Sequence, residues 1–177
     1  IVFSLFNYKS KIIQEHKTEQ MNKVLGFNLK EISKEINLKH IHHNNILNKK
    51  FKRISKWFEN LGAGVSVADF NNDGFQDVFF NDSSPKNEHA FFINNQHGGF
   101  ENKIHQFKLD QMTYPNPVTK MIAFDCNNDG FQDLFLLSSC PQLFINHKGE
   151  YFEDFTAQSG LQNKCSYYVF AANTFDY

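Results

Sequence analysis

Two acidic nonapeptides carry most of the chemistry in this 177-residue chain. Asp69-Phe70-Asn71-Asn72-Asp73-Gly74-Phe75-Gln76-Asp77 returns as Asp125-Cys126-Asn127-Asn128-Asp129-Gly130-Phe131-Gln132-Asp133, identical at every place but the second. Each copy sets side-chain oxygens at its first, third, fifth and ninth positions. A glycine at the sixth permits the tight turn that gathers them around one point. The seventh residue is expected to offer its backbone carbonyl while its ring turns into the core, and the ninth to bind through both carboxylate oxygens. That makes about six hard oxygen ligands, a set that suits calcium better than magnesium, which demands a tighter octahedron and keeps its waters. Crowded carboxylates also repel one another in the absence of a cation. The expected ligands are therefore Asp69, Asn71, Asp73, Phe75 and Asp77 for one Ca2+ ion, and Asp125, Asn127, Asp129, Phe131 and Asp133 for another.

An EF-hand would need a bidentate Glu at position 12, where the two copies have Phe80 and Leu136. It would also need helical flanks. Here Val65-Ser66-Val67-Ala68 precedes the first loop and Val78-Phe79-Phe80 follows it, β-branched and aromatic residues that favour strands. Asn-Asn-Asp-Gly also forms polar turns without any metal, but two copies that keep every oxygen ligand argue against that reading.

The loops therefore connect the strands of hairpins, and the repeat extends beyond them. Phe91-Phe92-Ile93-Asn94-Asn95 and Phe100-Glu101 correspond to Leu143-Phe144-Ile145-Asn146-His147 and Phe152-Glu153. Each unit holds about four short apolar runs separated by turn residues, which predicts an all-β fold of four-stranded propeller blades. A third unit is expected to open near Asp176. Two units and the start of a third are fewer than the roughly four blades that close a propeller, so the chain reads as a fragment of a larger protein. Residues 36–177 form the expected propeller segment, and residues 1–35 an irregular tail or signal remnant, with Ile1–Phe6 as the apolar end of such a signal. Within this outline, Glu31–Glu35 reads as a short helical turn and Ile36–Ile41 as a half-buried strand.

The pattern of strand, Asp-Phe-Asn-Asn-Asp-Gly-Phe-Gln-Asp, apolar strand and later Phe-Ile-Asn resembles the FG-GAP/VCBS repeats of integrin-α-type β-propellers. It is most similar to secreted VCBS-repeat proteins related to UnbV and cartilage acidic protein. In those proteins a segment like Ile36–Asn45 precedes one like Leu61–Asp69. The resemblance covers roughly 27–177 and implies calcium at the blade hairpins; Asp176 matches only a first ligand position.

With 18 Lys plus Arg against 19 Asp plus Glu, the formal charge of −1 argues against a nucleic-acid-binding or basic membrane-surface domain. No run approaches the ~18 apolar residues of a spanning helix. Three cysteines are too few for a zinc motif or a disulfide-dense scaffold. Cys140 and Cys165 are the preferred pair, and Cys126, at the place of Phe70, is expected to be core-facing. His40, His42 and His43 are dense enough to suggest a transition metal, but no acidic partner at defined spacing supports them, so solvated or hydrogen-bonded histidines are expected. His89, His97, His105 and His147 give no catalytic pairing, and Ser83, Ser84 and Ser138 lack a nucleophile-elbow pattern. Asn81-Asp82-Ser83 meets the N-glycosylation pattern. A duplicated carboxylate motif suits structural metal sites better than catalysis, which needs one asymmetric constellation. The expected function is a non-catalytic, calcium-binding module of a secreted or extracytoplasmic protein, recognising a protein or carbohydrate ligand. The alternative is an accessory propeller domain of a larger secreted enzyme.

Overall fold

The computed structural model describes residues 26–27, 30–43, 64–83, 88–111, 118–162, 165 and 172. Contacts divide the chain into two units, 1–32 and 33–177. In the first, the described residues 26–27 and 30–32 contain no helix or strand. The expectations for Ile1–Phe6, Ser84 and Asp176 lie outside the described residues.

The second unit contains two four-stranded sheets. In the first, β1 (Gly64–Ala68), β2 (Asp77–Asn81), β3 (Ala90–Asn94) and β4 (Phe100–Asn102) lie in sequence order, and β5 (Lys120–Phe124), β6 (Asp133–Leu137), β7 (Gln142–His147) and β8 (Tyr151–Asp154) repeat the arrangement. Every pairing is antiparallel. Each acidic loop joins the first two strands of its sheet, with Ala68 opposite Asp77 and Phe124 opposite Asp133 closing the hairpins. The four apolar runs read in each unit are the four strands, so the described residues are all-β as expected, apart from one 3₁₀ turn.

The period-2 alternation of a strand divides the aromatic residues between two faces. Phe79 and Phe91 join the main core with Phe70, Met121, Leu134, Leu136, Phe144 and Phe152, which spans both sheets. Val78 and Phe92 form a smaller cluster on the other face with Ala90, Leu38, Phe80 and Phe100. The connection from β4 to β5 contributes Ile104, Phe107 and Leu109, all buried, and a 3₁₀ turn at Leu109–Gln111. The Phe107 carbonyl accepts the Phe152 N–H at 3.0 Å, tying that connection to β8.

In β1 the small residues face inward: Ser66 and Ala68 are buried, while Val65 and Val67 are more than half exposed. The reason is close packing against β5, where the Ser66 hydroxyl donates to the Met121 carbonyl at 2.7 Å. Bulkier side chains would hold β1 and β5 apart.

The expected strand at Ile36–Ile41 is absent. Residues 33–37 form a turn and 38–43 are irregular. Asn37 has φ of 56°, a left-handed conformation that interrupts an extended chain. The segment instead covers the edge of β4, with the Phe100 N–H donating to the Ile36 carbonyl at 2.8 Å and the Asn37 side-chain amide to the Phe100 carbonyl at 3.0 Å.

Candidate metal loops

The two acidic loops close by the same hydrogen bonds. In the first, Asp69 accepts from the Asp73 N–H through Oδ1 at 3.1 Å and from the Gly74 N–H through Oδ2 at 2.8 Å. Asn71 accepts the Asp73 N–H at 3.2 Å through Oδ1, and Asp73 accepts the Phe75 N–H at 2.8 Å. In the second, Asp125 takes the Asp129 and Gly130 N–H groups at 3.2 and 2.8 Å, Asn127 takes the Asp129 N–H at 3.0 Å, and Asp129 takes the Phe131 N–H at 2.9 Å. Such side-chain to backbone bonds are what Asp and Asn make in tight turns. The left-handed residues coincide as well: Asn72 and Asn128 have φ of 57° and 58°, and Gly74 and Gly130 of 88° and 89°.

The ninth-position carboxylates have a different setting. Asp77 and Asp133 are fully buried. Asp77 accepts the Phe70 N–H at 3.0 Å through Oδ2 and the Asn94 N–H at 2.8 Å through Oδ1. Asp133 does the same with Cys126 at 3.0 Å and Asn146 at 2.8 Å. This residue therefore ties the start of its loop to the end of the third strand. Burial pushes Asp77 up to about 6 despite those two bonds, and the neighbouring Asp73 and Asp69 charges add to the rise. At Asp73, partial desolvation works upward, but bonds from Gln96, the Phe75 amide and Asn71 outweigh it and hold the carboxyl below its usual value.

A feature that spacing did not reveal is how the loops are joined across the sheets. The Asn146 side-chain amide donates to the Phe70 carbonyl at 2.8 Å and to the Gln132 carbonyl at 3.0 Å, bridging the first loop to the second sheet. The Asn72 amide donates to the Gly130 carbonyl at 2.9 Å, so the loops also touch directly. The repeated Phe-Ile-Asn of β3 and β7 was the signal: its Asn closes each loop, and in β7 it also reaches the neighbouring sheet.

Two loop residues differ from expectation. Phe75 is 43 % exposed and its ring is not in the core, since neither apolar cluster reaches the loop at that position. Cys126 is exposed rather than core-facing. Its counterpart Phe70 is buried because Phe91 and Phe152, the latter from the following sheet, meet its ring edge-on at 5.2 and 6.1 Å. No sheet among the described residues covers Cys126 in the same way. Its thiol, desolvated on one side and next to Asp133, is pushed up to about 12. Cys140 and Cys165 form the expected disulfide.

The remaining candidates are placed as follows. Asn81 is 1 % exposed and donates its amide to the Val118 carbonyl at 3.0 Å, so the glycosylation pattern is closed in the folded chain. Ser83 and Ser138 are buried, and Ser138 bonds within its own turn to Cys140. His43 is hydrogen-bonded, as expected, and the fold supplies the acidic partner that the sequence spacing did not show. Among the described residues, His40 and His42 converge with Asp82, and His43 with Asp82 and Glu88, their ligand atoms within 4.8 Å of one another in each group. The acidic partners come from beyond the end of β2, 39 residues from His43 in the case of Asp82. The loop carboxylates form no such group, being turned onto their own N–H groups. Burial holds His40 below the usual histidine value, and it pushes His89, behind Asp82, down to about 4.

The loop residues fit calcium by their chemistry. Each carboxylate oxygen has two lone pairs, so the single N–H bond at each Asp69 and Asp125 oxygen leaves it able to face a cation, whereas Asp73 Oδ2 already accepts the Asn71 and Gln96 amides at 3.0 Å and would exchange one of them for the ion. Ligating carboxylates are commonly hydrogen-bonded in this way.

Residues 69–136 match the model of the FG-GAP-like repeat, from the start of the first acidic loop into β6. No curated protein and no solved structure gives a match to the chain. Among the described residues no helix is long and apolar enough to cross a membrane.

Proposed function

We propose that the two sheets are adjacent blades of a calcium-stabilised β-propeller that serves binding, adhesion or assembly outside the cytoplasm, without catalysis. The observation that carries this reading is the identical hydrogen-bond frame of the two loops, which presents the same oxygen set at the same hairpin of consecutive sheets. A site duplicated in this way suits structural metal binding. The packing of β1 beside β5 supports the blade arrangement, since first strands adjoin one another around a propeller axis. The FG-GAP-like match points the same way, as such repeats are generally non-catalytic modules. The likeness to secreted UnbV and cartilage-acidic-protein-like proteins belongs to this proposal. So does the extracytoplasmic setting, where plentiful calcium fills even weak sites. The ligand is a protein or a carbohydrate, recognised by loops rather than by the fold itself.

Calcium titration by calorimetry tests the assignment. Two ions per chain are expected, one after Asp73→Ala or Asp129→Ala, and none in the double variant. Calcium at a hundred times Kd adds about 2.7 kcal/mol to stability. Unchanged stoichiometry in the double variant overturns the reading.

A further inference from the structure

We propose that His40, His42 and Asp82 form a binding site for a first-row divalent transition metal of the zinc class, distinct from the acidic loops. Their ligand atoms lie within 4.8 Å of one another. His40 Nε2 and both ring nitrogens of His42 are buried without a hydrogen-bond partner. A buried polar atom without a partner is destabilising, and a metal ion would satisfy the imidazoles and the carboxylate together. The Asp82 side chain is fully buried. Imidazole nitrogens with one carboxylate select zinc and its neighbours over calcium or magnesium, which take oxygen. Three protein ligands leave the fourth tetrahedral position to water or to a partner's side chain.

The surroundings hold these ligands in place. His43 donates its main-chain N–H to Asp82 Oδ2 at 2.8 Å, and its Nδ1 lies 3.0 Å from the same oxygen and 2.8 Å from Glu88. That is the outer-shell arrangement that orients a ligating carboxylate. The Asp82 N–H donates to His89 Nδ1 at 2.9 Å, and the His40 ring stacks on Phe80 with centroids 5.2 Å apart. Bonds of 2.0–2.1 Å in a tetrahedron set ligand atoms roughly 3.4 Å apart, so small side-chain rotations complete the site. Asp77 begins β2 and Asp82 follows its end. The two kinds of site are thus separated by five residues of extended chain, about 17 Å.

The test is zinc calorimetry on the tag-free 177-residue chain, stripped of metal and returned to saturating calcium so that the acidic loops do not report. One zinc per chain is expected. His42→Gln should weaken it tenfold or more, whereas His97→Gln, on an exposed turn, should not. Cobalt substitution should give the intense visible absorption of tetrahedral nitrogen and oxygen ligation, lost in His42→Gln. Circular dichroism confirms that each variant is folded, and His40→Gln serves in place of any His42 variant that is not. Absence of zinc binding tighter than about 100 μM, or a loss below tenfold in the folded His variant, overturns the proposal. Failure of the calcium assignment leaves this result untouched, because the two sites share no ligand.

Discussion

Phe152→Ala tests whether the two sheets are one cooperative structure. Phe152 belongs to β8 of the second sheet, is 2 % exposed, and meets Phe70, Phe91 and Phe107 with ring centroids 6.1, 6.0 and 6.1 Å away. Removing a buried phenyl forfeits roughly 1.5–3 kcal/mol of transfer free energy. The lost ring–ring contacts and the cavity left among three other rings raise the expected cost to about 3–5 kcal/mol. That is a large fraction of the 5–15 kcal/mol typical of a folded domain. The assay is urea unfolding followed by circular dichroism in saturating calcium, with hydrogen exchange resolving the two sheets. Phe155→Ala, at a ring 37 % exposed, is the control and should cost under about 1 kcal/mol. Because Phe152 packs on rings of the first sheet and its connection to the second, amides of β2, β3, β6 and β7 should lose protection together. A cost below about 1 kcal/mol, or a loss of protection confined to β5–β8, would refute the shared core.

Gly149 has φ of 74°, and a Cβ there would come within 2.7 Å of the Asn71 Cα in the first acidic loop. Gly149→Ala should therefore lower Tm clearly more than Gly98→Ala, where φ is 84° and the space is open, so that only the left-handed penalty of about 1–2 kcal/mol applies; equal melting temperatures would count against the packing of that turn on the loop. Reducing the Cys140–Cys165 bridge, which spans 25 residues, should destabilise the chain by about 3.5 kcal/mol in the chain-entropy picture, while Cys126→Ser should not shift the reductant dependence. Thermal melts with and without reductant check both outcomes.

Residue order alone determined the parts whose partners lie close along the chain. The acidic loops were legible because Asp69 bonds the N–H groups four and five residues on, and because Asn72 and Gly74 take the left-handed turns that Asn and Gly favour. The four strands of each unit followed from short apolar runs between turn residues, a signal contained within each run. Tertiary structure decided whatever depends on register and on the approach of one sheet to another. The Asn94 amide bonded by Asp77 is 17 residues away, and the Phe70 carbonyl bonded by Asn146 is 76 residues away, so no local spacing encodes either bond. The same reasoning explains Phe70 and Cys126, equivalent in the repeat but buried and exposed respectively, since burial there is conferred by a neighbouring sheet. It also explains the histidines. Their local sequence offered no carboxylate, and Asp82 meets them because the chain leaves β2 where the 38–43 segment passes. Local hydrogen bonds set each repeat's shape, whereas the sites built between repeats and across segments depend on long-range packing, which only the folded chain brings about.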